Sequence, residues 1–227
     1  MSDDIELVIL EDAEEVAAAV AERLARAARA GGHIALTGGR TELAYTEAAQ
    51  LEPDWSKTEL WWSDERCVPP DDALSNYALA KRTLLNRLEH DPYAVHRIKG
   101  ELGKEQAASD YERELGDTVF DLELLGIGKD GHVASLFPNA PTLTQRRRVL
   151  PAEPGLEPFV DRVSLGIAAL NSAREIVFAV SGAEKADAAE RAFASRPGPD
   201  TPASLVRARA GKTTAILDRA AAAKLRA

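Results

Sequence analysis

Asp130 and His132, separated only by Gly131, are the pair in this sequence best suited to moving a proton. They follow an apolar run of strand character, Phe120 to Leu125, which Gly126 and Gly128 interrupt. In an open α/β sheet, ligands bind beyond the carboxyl ends of the strands. The loop would therefore hold a carboxylate and an imidazole where chemistry is usually done. Imidazole as a class titrates near ~6.5 and serves as a general base at neutral pH. Pattern alone leaves two readings open for each residue. Asp130 either caps a short helix starting at Val133 or belongs to a site. His132 is either a surface turn residue or a catalytic base. His90 and His96 sit in connectors and read as structural.

Three other strand ends carry polar groups. His33 to Thr37 reads as a buried strand, followed by Gly38-Gly39-Arg40-Thr41 and a helix from Glu42 to about Gln50. A strand, a glycine turn and a helix start present free N–H groups at the positive end of the helix dipole, which suits an anion. The loop lacks the Gly-Lys-Ser/Thr ending of a Walker loop and is too short for a dinucleotide fingerprint. Arg40 points either to the anion or to solvent. Thr58 to Ser63 is the next strand, with Trp61 and Trp62 as core residues, and Asp64-Glu65-Arg66 follows. Three successive charges ahead of Pro69-Pro70 suggest a solvated turn, although a strand end is also where a pocket would lie. Glu175 to Val180 is a strongly β-prone strand, and Lys185 falls in the first turn of the helix running to Ala194. A cation there opposes the helix dipole unless an anion offsets it.

These residues need a scaffold, and the chain supplies one by alternating strands and helices. Ile5 to Leu10 is a strand, and Asp12 caps a helix over Ala13 to Ala30, with Val16, Val20 and Leu24 on one stripe. Ser75 caps a helix from Asn76 to Leu88, and Asn76 has the alternative of reaching the pocket. Tyr93 to Ile98 is a connector or short strand, and Gly103 to Gly116 a helix. Asn139 to Pro158 reads as irregular, with Arg146-Arg147-Arg148 as a solvated charge run. Arg162 to Leu165 is a strand ahead of a turn around Ala169 to Asn171. Pro197 to Pro202 is a loop, Thr213 to Leu217 a last strand, and Asp218 caps a final helix, Arg219 to Leu225. The expected fold is α/β: a single domain over residues 1–227, with a mostly parallel twisted, Rossmann-like sheet and helices on both faces.

The 227 residues are 45% hydrophobic, enough for a substantial core, and carry a net charge of −9 from 28 basic and 37 acidic residues. That balance argues against nucleic acid as a partner. It also means that an anionic substrate needs a locally basic pocket. The lone Cys67 excludes an internal disulfide and reads as packing, with no base beside it. No stretch approaches the ~20 apolar residues of a membrane span, and the acidic N-terminus lacks a signal core. A cytoplasmic protein without metal or cofactor is expected, with the choice between monomer and dimer open.

Asp121 through Pro138, containing Gly126-Ile127-Gly128-Lys129-Asp130-Gly131-His132, resembles the signature of 6-phosphogluconolactonases. Thr37 to Thr41, Trp62 to Pro69 with Ser75-Asn76-Tyr77, and Arg162 to Leu165 through Ser181 to Ala186 agree with it in order and spacing. The resemblance implies a phosphosugar isomerase/deaminase-like fold and hydrolysis of 6-phospho-D-glucono-1,5-lactone, a small-molecule phosphosugar lactone. It implies His132 as general base, Asp130 as its orienter or a hydroxyl ligand, and Arg66 steadying the oxyanion or the phosphate. Asp64 would line the sugar pocket. Gly38, Gly39, Thr41, Lys185 and Arg40 would hold the phosphate, with Arg162 a further candidate. The chain departs from the family at Arg40, where serine is common, and at Glu42, where proline is common. The related glucosamine-6-phosphate deaminases continue after the histidine into Phe-Asn-Glu-Pro. Phe137 stands here in place of the glutamate and cannot transfer a proton. A non-catalytic phosphosugar sensor is a third reading.

Overall fold

The computed structural model describes residues 5–225. In chain order its strands are β1 (Glu6–Leu10), β2 (Gly32–Leu36), β3 (Thr58–Trp62), β4 (Asp64–Arg66), β5 (Ala94–Val95), β6 (Leu122–Leu125), β7 (Val149–Ala152), β8 (Arg162–Leu165), β9 (Glu175–Val180) and β10 (Lys212–Asp218). The helices are α1 (Ala13–Ala30), α2 (Glu42–Leu51), α3 (Asn76–Thr83), α4 (Lys104–Leu115), α5 (Ile167–Leu170) and α6 (Ala186–Phe193). Seven strands form one sheet in the order β1-β10-β9-β6-β2-β3-β5, and each of its pairings is parallel. The inner strands β9, β6, β2 and β3 are neighbours, so the loops leaving their carboxyl ends converge.

Local sequence accounts for these elements. Oδ1 of Asp12 accepts the N–H of Glu14 at 3.0 Å and of Glu15 at 2.9 Å, starting α1. The helix then buries Val16, Val20 and Leu24 on the expected stripe and stops at Gly31, φ 78°. Each such side chain taken fully out of water contributes about 1.5–3 kcal/mol. Every residue of β6 is buried, and successive side chains point to opposite faces, so both faces of the sheet are covered there. Trp61 and Trp62 repeat the pattern. Trp61 stacks on His96 with centroids 3.8 Å apart, while Trp62 meets the edge of Tyr77 at 5.6 Å. β5 is too short to pair with all of β3. The hydroxyl of Tyr111 fills in, accepting the N–H of Trp62 and donating to its carbonyl.

Five sequence expectations are corrected. Asp64-Glu65-Arg66 is not a solvated turn. It is β4, which pairs antiparallel with β8, and β8 with β7, forming a small second sheet. Asn139 to Pro158 is not irregular throughout: it contains a short 3-10 turn, Pro141–Thr144, and β7. The three arginines gave it a polar look, but Arg147 pairs with Glu112, and the main-chain N–H of Arg148 also bonds to that carboxylate. Together they dock the strand onto α4. Val133 does not begin a helix; Val133 and Leu136 bridge across a two-residue turn. The segment from Arg219 to Leu225 forms turns rather than a helix. Asp218 caps only its first turn, through the N–H of Ala221 at 2.7 Å. α3 also ends earlier than expected, at Thr83, and gives way to a 3-10 turn over Leu85–Arg87.

Candidate active site

A cavity of about 380 Å³ opens at the carboxyl ends of the inner strands. Gly38, Gly39, Arg40 and Thr41 line it from the loop after β2. Asp64 and Arg66 enter from β4, His132 from the loop after β6, Arg162 from β8, and Lys185 from the loop after β9. Of the residues singled out from sequence, only Asp130 is not on the wall: it lies behind His132.

Oδ1 of Asp130 is 2.6 Å from Nδ1 of His132 and also accepts the main-chain N–H of His132 at 3.2 Å. An ionised carboxylate needs a donor, so Nδ1 carries the proton and Nε2 keeps its lone pair for work. Burial opposes the charge on Asp130. The hydrogen bonds from the ring and the main chain of His132 outweigh it and hold the carboxyl below its ordinary range. No helix follows, so the cap reading of Asp130 falls away. The His132 ring leans on Phe137, centroids 4.9 Å apart, and the Arg162 guanidinium lies 5.7 Å from the same ring on its way into the cavity. Phe137 is thus an apolar wedge that sets two working groups at once.

The glycine loop behaves as an anion cradle. Among the described residues, the N–H groups of Gly38, Gly39, Arg40 and Thr41 have no hydrogen-bond partner, while that of Thr37 bonds to the hydroxyl of Tyr45 at 3.0 Å. Lys185 is half-buried and makes no ion pair or hydrogen bond from its side chain within the described residues. Burial, then the charges of Arg40 and Lys129, push its pKa down, against the pull of Glu184 and Asp130. A buried cation with no partner is relieved by an anion. Its loop is fixed by the N–H of Gly182, which donates to Oδ2 of Asp218 at 2.9 Å. Arg40 is exposed and engaged elsewhere: it pairs with Glu184 at 2.9 Å and reaches the carbonyl of Ser181 at 3.4 Å.

Across the cavity, Arg66 and Arg162 stand opposite each other in the register of β4 and β8. The Nε of each is buried without a partner. Burial and then the charge of Arg66 lower the pKa of Arg162. Two facing guanidiniums with donors unused call for an anionic or oxyanionic guest. Beneath them is a polar network that the sequence reading missed. Glu65, expected in solvent, is buried and accepts the N–H groups of Arg66, Asn76 and Tyr77 and the hydroxyl of Ser75, at 2.7–2.9 Å. Burial raises its pKa despite those donors. Oδ2 of Asp64 accepts from Ser135 Oγ at 2.7 Å, and Oδ1 accepts from Asn76 Nδ2 at 3.1 Å. Asn76 therefore both begins α3 and lines the cavity. Its Oδ1 abuts Gly38, where an added Cβ would lie 1.9 Å away. The sequence signal for Ser135 and Asn76 was their place inside the two recognisable segments; their meeting at the Asp64 carboxylate exists only in three dimensions. Burial raises the Cys67 thiol to about 11, consistent with packing.

The family profile described as Glucosamine-6-phosphate isomerases/6-phosphogluconolactonase matches residues 11–215. A 6-phosphogluconolactonase of Streptomyces coelicolor is 36% identical to this chain, over 99% of it and 96% of the relative. The crystal structure of 6-phosphogluconolactonase from Thermotoga maritima superposes with a TM-score of 0.84 at 30% identity, over 95% of this chain and 100% of that one. A monomeric glucosamine-6-phosphate deaminase superposes with a TM-score of 0.83 over 97% of this chain and 100% of its own, at 22% identity, a likeness of fold alone.

Proposed function

The chain belongs to the glucosamine-6-phosphate isomerase/6-phosphogluconolactonase family, and on that premise we propose that it hydrolyses 6-phospho-D-glucono-1,5-lactone to 6-phospho-D-gluconate. The observation that carries this reading is the single cavity that holds an oriented imidazole, His132, together with the unpartnered N–H groups of Gly38 and Gly39 and the unpaired Lys185.

The phosphate is held at the glycine loop and Lys185, remote from the reacting carbon. Binding there positions the lactone so that its carbonyl faces His132. Nε2 of His132 takes a proton from water as the water oxygen adds to the carbonyl. Arg66, with Arg162 beside it, holds negative charge on the substrate; Asp64 accepts from its hydroxyls. When the tetrahedral intermediate collapses, the bond from the carbonyl carbon to the ring oxygen breaks. His132 then returns its proton to that oxygen. Asp130 keeps Nδ1 protonated throughout and so fixes which nitrogen is the base.

Phe137 supports the lactonase over a deaminase, because an apolar ring stands where the deaminases carry a ring-opening glutamate. Ammonia release from glucosamine 6-phosphate would reverse that choice. Cytoplasmic action is part of the same proposal, and the lone Cys67 fits a reducing compartment. No helix among the described residues is long and apolar enough to cross a membrane.

The test is initial-rate hydrolysis of freshly made lactone, corrected for spontaneous opening, for the parent and His132→Ala. A folded His132→Ala protein should lose about 10²–10⁴-fold in kcat. Near-normal turnover would remove His132 from the mechanism, and binding of 6-phosphogluconate without turnover in the parent would favour the sensor.

A further inference from the structure

Ala134 is held in a backbone conformation that alanine rarely adopts, with φ at 49°; Asn139 is the other non-glycine with positive φ among the described residues. It is the first of the two central residues in the turn joining Val133 to Leu136, and Ser135, the second, does not share the positive φ. That is the pattern of a II′ hairpin turn, where glycine is the usual choice. An L-residue held there against its preference is over-determined by its surroundings, and such residues cluster at functional sites.

The surroundings are explicit. The turn is closed from both sides: the N–H of Val133 donates to the carbonyl of Leu136 at 3.4 Å, and that of Leu136 to the carbonyl of Val133 at 2.9 Å. The N–H of Ser135 donates to Ser164 Oγ at 3.1 Å, and Ser135 Oγ to Asp64 Oδ2 at 2.7 Å. The N–H of His132 is taken by Asp130. Along this run from His132 to Leu136, Ala134 is the residue whose N–H has no partner among the described residues, and Ala134 lines the same cavity as His132.

We propose that the main-chain N–H of Ala134 is an oxyanion donor: it hydrogen-bonds the lactone carbonyl oxygen as water adds and that oxygen becomes negative. This rests on the lactonase reading above. The electrons of the carbonyl π bond move to the oxygen as the new C–O bond forms, and the water proton goes to His132. The Ala134 N–H stays covalently unchanged and stabilises the charge until the carbonyl reforms and the ring C–O bond breaks. Strain at Ala134 thus holds a donor in place before the substrate arrives, which is how preorganised donors are effective. The network through Ser135, Ser164 and Asp64 positions it.

The experiment is a backbone ester: Ala134 replaced by its α-hydroxy acid analogue, lactic acid, which removes the N–H and keeps the methyl group. The expected result is a fall in kcat of about 10²–10³-fold with KM nearly unchanged. An ester at Leu136 breaks the Val133–Leu136 bond while sparing the Ala134 N–H; it should retain kcat even where it lowers Tm. Equal losses in kcat from the two esters would mean that the turn is merely structural and overturn the assignment. Full turnover in the Ala134 ester would also overturn it, leaving the lactonase reading intact. A parent protein without lactone hydrolysis would refute both.

Discussion

Gly128 lies so close to the imidazole of His132 that a Cβ built on it would fall 2.0 Å from Nδ1, and 2.4 Å from Oδ1 of Asp130. The glycine is there because the carboxylate–imidazole pair occupies the space a side chain would take. The loop also closes on itself at this point, with the N–H of Gly128 donating to the carbonyl of His132 at 2.8 Å. Gly128→Ala should therefore separate His132 from Asp130 and cost at least about tenfold in kcat, while the phosphate end and KM change little. Undiminished kcat in a folded variant would show that the pair tolerates displacement.

Asp130→Asn tests the orientation of the base. An amide in place of the carboxylate offers Nδ1 either a carbonyl or an N–H, so the base is no longer held in one tautomer. We expect kcat to fall by about 10²-fold or more with KM preserved. The stability consequence has a definite sign. The folded-state pKa of Asp130 is lowered by His132, so its stabilising contribution is present above the ordinary aspartate range and is lost as pH falls through the folded value. The Tm gap between parent and Asp130→Asn should accordingly narrow in acid. A gap that widens on acidification would contradict the assigned ionisation.

Lys185 and Arg40 both line the phosphate end, but only Arg40 has a counter-charge already. Lys185→Ala should raise KM by roughly tenfold or more, the scale of a lost hydrogen bond to a charged group. Arg40→Ser, which restores the residue common in the family, should change KM by less than about threefold, because exposed pairs such as Arg40–Glu184 contribute about 0–1 kcal/mol. Steady-state kinetics on both variants decides it; equal effects would place Arg40 on the phosphate.

Glu123 is a fully buried carboxyl in β6 whose two oxygens find no hydrogen-bond partner among the described residues. Burial raises its pKa well above the usual carboxylate value, against a weaker pull from Arg148. A folded-state pKa above the unfolded one contributes stability that is present below the unfolded value and is lost as pH rises through the folded value. Glu123→Gln removes that titration while keeping the shape. Its unfolding free energy should track the parent's near pH 4 and gain on it progressively with rising pH, by at most about 1.4 kcal/mol per pH unit. Parallel curves for the two proteins would show that Glu123 does not titrate in this window.

How much was legible beforehand depended on how local the cause was. α1, β8 and β9 fall where caps and apolar periodicity placed them, because a helix stripe or a β-branched run is a property of consecutive residues. β4 and β7 were lost for the opposite reason. Asp64-Glu65-Arg66 looks solvated, and becomes a strand only because β8 pairs with it and because donors from Arg66 itself and the start of α3, more than ten residues on, satisfy Glu65. The arginines at 146–148 likewise hid a strand whose docking depends on a glutamate in α4.

By itself the sequence determined the alternating α/β order, the glycine turn with its free N–H groups, and the presence of one imidazole and several cations at strand ends. Those follow from residue types at short spacing. Tertiary structure alone decided that Asp130 sits behind His132 rather than capping a helix, and that Arg162 meets Arg66 across the β4–β8 pairing, almost a hundred residues away in the chain. It also decided that Arg40 is spent on Glu184 while Lys185 stays free, and that Ala134 is locked into a left-handed turn. Each of these depends on which distant groups arrive within hydrogen-bonding range, and no run of neighbouring residues encodes that distance.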